Sequence, residues 1–411
     1  MDYDIMKKSI RKEYENPEYR VFANDISRGN KCLNTAVICY LYYKETLDIY
    51  FKYVDHVPNE IDVYLITSVT EISDILHTRY GNKENITVIE KDNRGRDLSG
   101  LLVSCADFFF DYEFACFVHD KKEIYDEYRK ETEEWALSLW ENTIGTADYI
   151  RNIYDYLTGH EEVGLLVPPE PLGERIDYWY SNNWGDNYEN TVNLAKRLSV
   201  DVDIRKDISP ASIGSVFWAR TKALRKLFNP GWEYDDFPEE PMPKDGTISH
   251  AIERILAYVA LDAGYITERA ISSENASSYL AFLQPNARTV SDVLYVKEGV
   301  RNASGLKKYA DSKKKVFDMI NDNLTVYLYG AGKYGKYCAR LLRRWGIEPA
   351  GFVVTKIELE KEIEGIRVFS LEELENELQK SGVIITPIKD SVRKEIAQQL
   401  VDRKIKRFIY W

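Results

Sequence analysis

Short apolar runs and amphipathic segments alternate along the first two thirds of the chain. Runs rich in apolar, β-branched and aromatic residues predict strands at residues 35–43, 61–67, 86–90, 114–119, 163–167 and 212–219. Helical spacing separates the early runs, at residues 47–54 and 71–80. Because strands that alternate with helices build parallel sheets, residues 35–285 predict an α/β domain with a mostly parallel sheet.

One amphipathic helix carries several reactive side chains. Residues 245–265 place apolar side chains at helical spacing, which predicts a buried stripe. His250, Glu253 and Arg254 lie three or four residues apart and share a neighbouring face, and Asp245 stands at the start of the helix. Two carboxylates, an imidazole and a guanidinium near a helix start indicate a site for an anionic ligand.

A second alternation begins at residue 325. A strand leads through a glycine-rich turn into a helix, and further strands and helices follow to the end of the chain. This pattern predicts a small Rossmann-like α/β domain at residues 324–411. Charged helical sequence at residues 286–323 predicts a linker, and residues 1–34 predict a polar N-terminal arm or short helix.

Composition and charge narrow the classes of function. The chain has 411 residues and a formal net charge of −12, which argues against a general nucleic-acid-binding surface. Its five cysteines are scattered without a Cys-x-x-Cys pair, so we expect reduced thiols in a cytoplasmic protein. The charged N-terminus has no apolar signal core and no apolar run could span a bilayer, so membrane contact would be peripheral, at the inner face of the cell membrane.

Two charged motifs follow predicted strands. The first, NRGRD, places Asn93, Arg94, Arg96 and Asp97 around a flexible glycine. Two guanidinium groups at such a turn suit a diphosphate. The alternative is a solvated turn in which Asp97 caps a helix and the arginines pair locally.

The second motif, HDKK, consists of His119, Asp120, Lys121 and Lys122 at the carboxyl end of a strand. Ligand sites of open α/β sheets lie at such strand ends. The lysines could neutralise phosphates, and Asp120 could bind a divalent cation with His250 as a further ligand. A charged strand-to-helix turn is the structural alternative.

The helix at residues 245–265 has alternatives of the same kind. Asp245 could be the general base that activates an acceptor hydroxyl, or a helix cap. Glu253, the second candidate catalytic carboxylate, could instead pair with Arg254. His250 could be an interior histidine whose hydrogen bonds are satisfied.

Three glycines mark the turn of the C-terminal module. Gly330, Gly332 and Gly335 form G-x-G-x-x-G between a strand and a helix, which predicts either a nucleotide-binding turn or a purely structural one. An NAD site would require an acid at the end of the next strand, where Val354 and Thr355 stand, so NAD is not expected. No complete P-loop, Gly-x-Ser-x-Gly or His-Glu-x-x-His motif occurs in the sequence.

Taken in order, several of these pieces resemble the rhamnan synthesis protein F glycosyltransferases of bacterial surface polysaccharide assembly. The matching segments are AVICYLYY, NEIDVYLITS, NRGRDLSGLL, FACFVHDKK, VGLLVPPE, GSVFWAR and DGTISHAIER. The family usually has a threonine where Asp120 stands and a serine where Glu123 stands, and it often has a histidine near the position of Tyr40.

The resemblance implies a GT-A-like sheet and sugar transfer from a nucleotide-sugar donor, often dTDP-rhamnose, to a glycan or lipid-linked glycan acceptor. It implies that NRGRD and HDKK flank the diphosphate and that Asp245 is the base. Trp218 in GSVFWAR would then stand on the acceptor side, with His250 and Arg254. Mg²⁺ or Mn²⁺ is the candidate cofactor. Because no second nucleophile is evident, we expect inversion.

Two other functions stay open at this point. The C-terminal module could belong to a nucleotide-sugar oxidoreductase or epimerase, although the missing acid argues against it. The departure from the family pattern at Asp120 also keeps open a non-catalytic, nucleotide-sugar-binding scaffold subunit.

Overall fold

The chain forms two compact α/β units. A computed structural model describes residues 17–122, 129–170, 184–243, 245–298, 310, 312–319, 324–356 and 361–411. The first unit comprises Met1–Phe282 and the second Leu283–Trp411. Parts of the predicted N-terminal arm, at residues 1–16, and of the predicted linker, at residues 299–309, 311 and 320–323, lie outside the described residues.

The first unit contains an eight-stranded sheet. Its strands in chain order are β1 (Tyr19–Phe22), β2 (Thr35–Tyr40), β3 (Asp62–Thr67), β4 (Ile86–Glu90), β5 (Phe114–His119), β6 (Val163–Val167), β7 (Phe217–Arg220) and β8 (Ile266–Ser272). In space they follow the order β1-β8-β6-β7-β5-β2-β3-β4. Every neighbouring pair is parallel except the two that β7 makes. The prediction of an α/β unit with a mostly parallel sheet is confirmed.

Helices cover both faces of this sheet. In the described part of the chain they are α1 (Leu47–His56), α2 (Thr70–Tyr80), α3 (Arg96–Ser99), α4 (Arg129–Ile144), α5 (Ala147–Gly159), α6 (Tyr188–Arg197), α7 (Arg225–Phe228) and α8 (Ile248–Asp262). A further helix, α9 (Ser273–Glu298), begins in the first unit and extends past its last residue, Phe282. None of the described helices is long and apolar enough to cross a membrane.

Alternation along the strands divides the interior of this unit into two cores. In β2, Ile38 and Tyr40 belong to the core beneath α8, whereas Val37 and Cys39 belong to the core beneath α1, α4 and α5. This is the period of two that a strand buried on both faces must show. The apolar stripe predicted for the helix at residues 245–265 is confirmed by the buried side chains of α8.

Two details of the sheet differ from the sequence-based expectation. The predicted N-terminal arm contains the edge strand β1, whose Tyr19 lies opposite Arg269 of β8. The strand predicted at residues 212–219 begins only at Phe217 and runs antiparallel to its neighbours. Ser215, just before it, has a φ of 55°, which is not a strand conformation.

The second unit is an α/β unit, as its alternating pattern predicts, but two strands of its six-stranded sheet, Glu362–Ile363 and Ile366–Ser370, were not predicted. Its strands are β9 (Val326–Tyr329), β10 (Gly351–Val354), β11 (Glu362–Ile363), β12 (Ile366–Ser370), β13 (Gly382–Ile385) and β14 (Phe408–Tyr410), in the spatial order β11-β12-β10-β9-β13-β14. Among the described residues its helices include α10 (Lys333–Arg344), α11 (Leu371–Leu378) and α12 (Asp390–Asp402). Ser370 and Glu373 form the capping box expected at the start of α11.

Candidate functional site

The strand order of the large sheet reverses between β2 and β5. The chain builds β3 and β4 on one side of β2, and then places β5 on the other side with Tyr40 opposite His119. Ligands of open α/β sheets bind outside the strand ends at such a position. We call this position, with the loops at residues 41–43, 91–96 and 120–122, the switch point.

Asp120 is buried at the switch point and holds the loop that follows β2. Its Oδ2 accepts hydrogen bonds from the backbone N–H groups of Tyr42 and Tyr43, both at 2.7 Å. Its Oδ1 is buried without a hydrogen-bond partner among the described residues. Burial raises the pKa of Asp120 to about 7, although the bonds from Tyr43 and Tyr42 oppose the rise. Asp120 therefore orders main chain at the place where a ligand would bind.

The predicted metal ligands Asp120 and His250 both make hydrogen bonds within the protein. One oxygen of Asp120 is occupied by two N–H donors, and His250 Nδ1 lies 2.7 Å from Thr247 Oγ1. In the part of the chain that the structure describes, no group of three or more His, Cys, Asp or Glu side chains could hold a metal ion. Because hard divalent cations take six or more oxygen ligands, these side chains alone do not fit such an ion.

His119 joins three segments and is closed to ligands. Its Nδ1 lies 2.8 Å from the carbonyl oxygen of Asp120, and its Nε2 lies 2.7 Å from that of Gly214 and 3.6 Å from Asp97 Oδ2. Only 7% of its side chain is exposed. Burial lowers the pKa of His119, and the Asp97 carboxylate opposes this effect. The prediction that His119 contacts a donor is therefore corrected, because the imidazole is enclosed.

The arginines of NRGRD pair with an acidic loop far along the chain. Arg94 Nη1 donates to Asp235 Oδ1 at 2.6 Å, and Arg94 Nε donates to the carbonyl oxygen of Phe237 at 2.7 Å. Arg96 Nε and Nη2 donate to the two carboxylate oxygens of Glu240, at 2.9 Å and 3.2 Å. The expectation of local pairing is wrong, since the partners lie more than 140 residues away.

The turn between these arginines requires glycine. Gly95 has a φ of 70°, and a Cβ placed on it would lie 2.5 Å from Cγ of Phe237. Only glycine combines a left-handed backbone with so close an approach. The NRGRD loop and the acidic loop at residues 233–240 are thus packed together as one surface.

A buried lysine beside this loop was missed by the sequence analysis. Lys91 follows β4 directly, and its ammonium donates to the carbonyl oxygens of Asp92 at 2.7 Å and Arg94 at 3.2 Å. It also lies over the rings of Tyr40 and Tyr234. Burial lowers the pKa of Lys91 to about 8. Its position at a strand end, two residues before NRGRD, was the signal available in the sequence.

The remaining polar groups predicted for the donor side have partners as well. Lys121 lies 4.5 Å from the ring centre of Trp135. Lys122 forms an ion pair with Glu45. Asn93 Oδ1 accepts a hydrogen bond from Ser68 at 3.2 Å. The structure brings NRGRD and HDKK to the same edge of the sheet, with their long cationic side chains held by neighbouring groups.

Asp245 fastens the turn before α8 to the start of α6. Its Oδ1 accepts from Asn187 Nδ2, and its Oδ2 accepts from the backbone N–H of Asp186 at 3.1 Å. The N-cap of α8 is Thr247, so the predicted capping role of Asp245 is wrong. Burial disfavours the charged form, but the hydrogen bond from Asn187 and those from backbone N–H groups outweigh it and lower the pKa of Asp245. Asp245 is therefore an ionised, half-buried carboxylate just before the N-terminus of α8.

The other polar side chains of α8 form a connected group one turn further on. Glu253 Oε1 and Arg254 Nη1 lie 3.5 Å apart, and Arg254 Nη1 also donates to the carbonyl oxygen of His250 at 3.0 Å. Burial lowers the pKa of His250, and the Glu253 and Asp245 carboxylates oppose the effect. The mutual pairing of Glu253 with Arg254 agrees with their structural alternative.

Trp218 does not reach a surface that an acceptor could contact. Its side chain is fully buried in the core beneath α4 and α5, and its Nε1 donates to the carbonyl oxygen of Thr143 at 2.9 Å. The strand period explains the error. Trp218 points to the opposite face of the sheet from Phe217, which packs beneath α8.

The glycine turn of the second unit has the geometry of a close-packed strand-to-helix connection. Gly330 has a φ of 109°, and a Cβ on Gly335 would lie 1.9 Å from the carbonyl oxygen of Gly330. Gly332 is the N-cap of α10 and has open space around it. Packing alone therefore requires two of the three glycines.

Comparison with known proteins shows a family to which most of the first unit, including the switch point, is similar. The profile described as rhamnan synthesis protein F matches residues 4–265. Two proteins named uncharacterized protein WxcX, from two strains of Xanthomonas campestris pv. campestris, are 23% and 22% identical to this chain over 234 residues. These matches cover 56% of this chain and 32% of each relative, so the chain spans about a third of their length.

A solved structure was also matched. The glycosyltransferase GlyE of Streptococcus pneumoniae TIGR4 is 11% identical, with a TM-score of 0.29 over 91% of this chain and 90% of that chain.

Proposed function

The chain belongs to the rhamnan synthesis protein F family, and from this premise we propose that it is a glycosyltransferase of bacterial cell-surface polysaccharide synthesis. It transfers a sugar from a nucleotide-diphosphate donor to a glycan or lipid-linked glycan acceptor. Rhamnose is the first donor sugar to test, because the family is described by rhamnan synthesis.

One observation carries this proposal: cationic side chains gather beside the switch point of a mostly parallel sheet. Lys91, Arg94 and Arg96 lie on the loop after β4, and the ring of Tyr40 at the end of β2 lies 5.3 Å from the Lys91 ammonium. A nucleoside diphosphate needs such charges, because its oxygens must be neutralised when the nucleotide leaves. The switch point is also where α/β sheets bind nucleotides.

The donor diphosphate would compete with carboxylates for these cations. Arg94 and Arg96 are paired with Asp235 and Glu240, and their guanidinium forks match phosphate oxygens as well as they match carboxylates. Donor binding would therefore exchange ion pairs at the acidic loop, and would not meet an unpaired cationic surface.

In the proposed reaction Asp245 is the general base. Its carboxylate takes the proton of an acceptor hydroxyl, the hydroxyl oxygen forms a bond to the anomeric carbon, and the bond from that carbon to the diphosphate breaks. Arg94, Arg96 and Lys91 stabilise the charge of the leaving nucleoside diphosphate. A single displacement of this kind inverts the anomeric centre. Dependence on Mg²⁺ or Mn²⁺ stays a prediction, and no step is assigned to a metal.

Two rival functions predict different results. An oxidoreductase or epimerase that uses the glycine turn of the second unit should change the fluorescence of a reduced nicotinamide cofactor, whereas the proposed transferase should not. A non-catalytic scaffold subunit should bind a nucleotide sugar without ever cleaving it.

The experiment is a donor panel with the purified full chain. Nucleotide sugars that include dTDP-rhamnose are incubated with and without Mg²⁺, Mn²⁺ and a chelator, and release of the nucleoside diphosphate is followed. Slow donor hydrolysis without an acceptor, and faster release with a glycan acceptor, is the expected result. Failure to bind or cleave any donor would overturn the proposal.

A further inference from the structure

A groove lies beside the turn that carries Asp245. Its volume is about 280 Å³ and it is open to solvent. It is lined by Asn190, Asn193, Leu194, Arg197, Gly246 and Ile248. The first four of these residues are spaced i, i+3, i+4 and i+7 on α6, so they form one face of that helix. None of the predicted site residues lines the groove.

Two polar side chains of the groove, Asn190 and Arg197, already make hydrogen bonds within the protein. Asn190 Nδ2 donates to the carbonyl oxygen of Gly246 at 2.8 Å. Arg197 Nη2 donates to Asp236 Oδ1 at 2.8 Å, and its guanidinium carbon lies 4.3 Å from the ring centre of Trp232. A guanidinium has five N–H donors, so further donors remain to bind a ligand. Ordered polar groups lose little conformational entropy when a ligand binds.

The chemistry of the lining favours a hydroxyl-rich ligand. An asparagine amide both donates and accepts hydrogen bonds, which matches a sugar hydroxyl that does the same. Leu194 and Ile248 add apolar surface for the C–H groups of a sugar ring. The lining has no carboxylate, and Asp236 already neutralises the charge of Arg197. Neither a cation nor a highly charged anion is the natural occupant.

The volume of the groove suits a small ligand. Pockets for drug-sized ligands measure roughly 300–1,000 Å³, and this groove lies just below that range. A single sugar ring is the ligand that fits. Gly246, which lines the groove, directly follows Asp245 in the chain, although the Asp245 side chain is not among the lining residues.

From these observations we infer that the groove between α6 and the start of α8 binds one sugar unit of the acceptor glycan. This inference rests on the proposed glycosyltransferase function, and it adds an acceptor subsite to it. Asn193 and Arg197 select the unit through its hydroxyl groups, and Leu194 and Ile248 contact its apolar face.

The test is ligand-observed saturation-transfer NMR on the full chain. The probes are methyl glycosides of rhamnose, glucose and N-acetylglucosamine. Asn193→Leu removes an amide from the groove and Arg197→Met removes the guanidinium. Lys196→Leu is the matched control, because Lys196 is an exposed residue of the same helix that does not line the groove. Thermal unfolding of each variant verifies that it is folded.

We expect at least one probe to bind the wild-type chain, with affinity reduced at least fivefold in Asn193→Leu and unchanged in Lys196→Leu. Arg197→Met provides a second reading if Asn193→Leu is poorly folded. The inference is overturned if no probe binds, or if both groove variants bind as the wild type does. Nucleotide binding is measured in parallel. If a glycoside binds at the groove and no nucleotide-sugar donor binds, the transferase proposal is refuted, whereas the groove remains a carbohydrate-binding site.

Discussion

Arg96 and Glu240 are 144 residues apart in the sequence and form an ion pair through two hydrogen bonds, Nε to Oε1 at 2.9 Å and Nη2 to Oε2 at 3.2 Å. Burial raises the pKa of Glu240, but the hydrogen bonds from Arg96 and the Met242 N–H, with the charges of Arg96 and Lys91, together outweigh it, so the carboxyl pKa is lowered overall. The pair ties the loop after β4 to the acidic loop. It also means that a diphosphate competes with a carboxylate for Arg96.

Removing the charge of Glu240 should strengthen nucleotide binding. In Glu240→Gln the diphosphate no longer competes with a carboxylate for Arg96. Partly exposed ion pairs contribute about 0.2–1 kcal/mol, so we expect the affinity for a nucleoside diphosphate to rise about 1.4- to 5-fold. Titration calorimetry measures this change. Glu239→Gln is the control, because Glu239 is exposed and its neighbour Glu240 is the residue that pairs with Arg96. Weaker binding in Glu240→Gln would show that the pair positions Arg96 for the donor.

Replacing the proposed base should separate binding from chemistry. Asp245→Asn keeps one oxygen for the N–H groups of Asp186 and Asn187 but cannot accept the proton of the acceptor. A general base contributes about 10²- to 10⁴-fold, so we expect transfer to fall by at least 100-fold and donor affinity to change less than twofold. Steady-state transfer and nucleotide titration measure the two effects. If transfer persists, Asp245 is only the residue that holds the α6 turn.

The buried carboxyl of Asp120 should make stability depend on pH. Its pKa is raised from 3.8 to about 7, so the folded state binds the proton more tightly than the unfolded state. The stabilisation is complete below the unfolded pKa and is lost as the pH rises through about 7. Between pH 5 and 7.5 we expect the free energy of unfolding to fall by about 3 kcal/mol, on the order that linkage allows.

Urea unfolding followed by tryptophan fluorescence at several pH values tests this expectation. Asp120→Asn should remove most of the dependence, because asparagine does not titrate. Measurements stay below pH 8, where Lys91 begins to contribute with the opposite sign. An equal slope in both proteins would refute the assignment to Asp120.

Trp218 should matter for stability and not for the acceptor. Trp218→Phe leaves the carbonyl oxygen of Thr143 without its N–H donor and opens space in a close-packed core. We expect a loss of about 1–3 kcal/mol in the free energy of unfolding. The KM for the acceptor should not change. A raised KM with unchanged stability would place Trp218 at the acceptor after all.

Local sequence patterns predicted those parts of the fold that depend on local order. β2 to β6, α1, α2 and α8 appear at or close to their predicted positions, as do all elements of the second unit except β11 and β12, because each carries its own apolar period. β1 was missed because YRVF is a short edge strand among charged residues. β7 was misplaced because an apolar run does not reveal a residue with positive φ such as Ser215.

The candidate site was predictable in its location and not in its contacts. NRGRD and HDKK both follow strands, so their meeting at one edge of a parallel sheet follows from topology. The partners of Arg94, Arg96 and Asp245 come from loops that lie 58 to 144 residues away. Spacing within a motif carries no information about such partners. The two hydrogen bonds that Asp120 accepts from backbone N–H groups could not be predicted from this spacing either.

Titration calorimetry with thymidine and uridine diphosphates measures whether the cationic loop at the switch point binds a nucleoside diphosphate. The titrations use the wild-type chain, an Arg94→Ala/Arg96→Ala double variant, and Arg225→Ala as the control, since Arg225 packs over Phe110 outside the loop. We expect wild type and control to bind alike and the double variant to bind at least tenfold more weakly. Absence of binding to the wild type, or equal binding to all three proteins, would contradict the account.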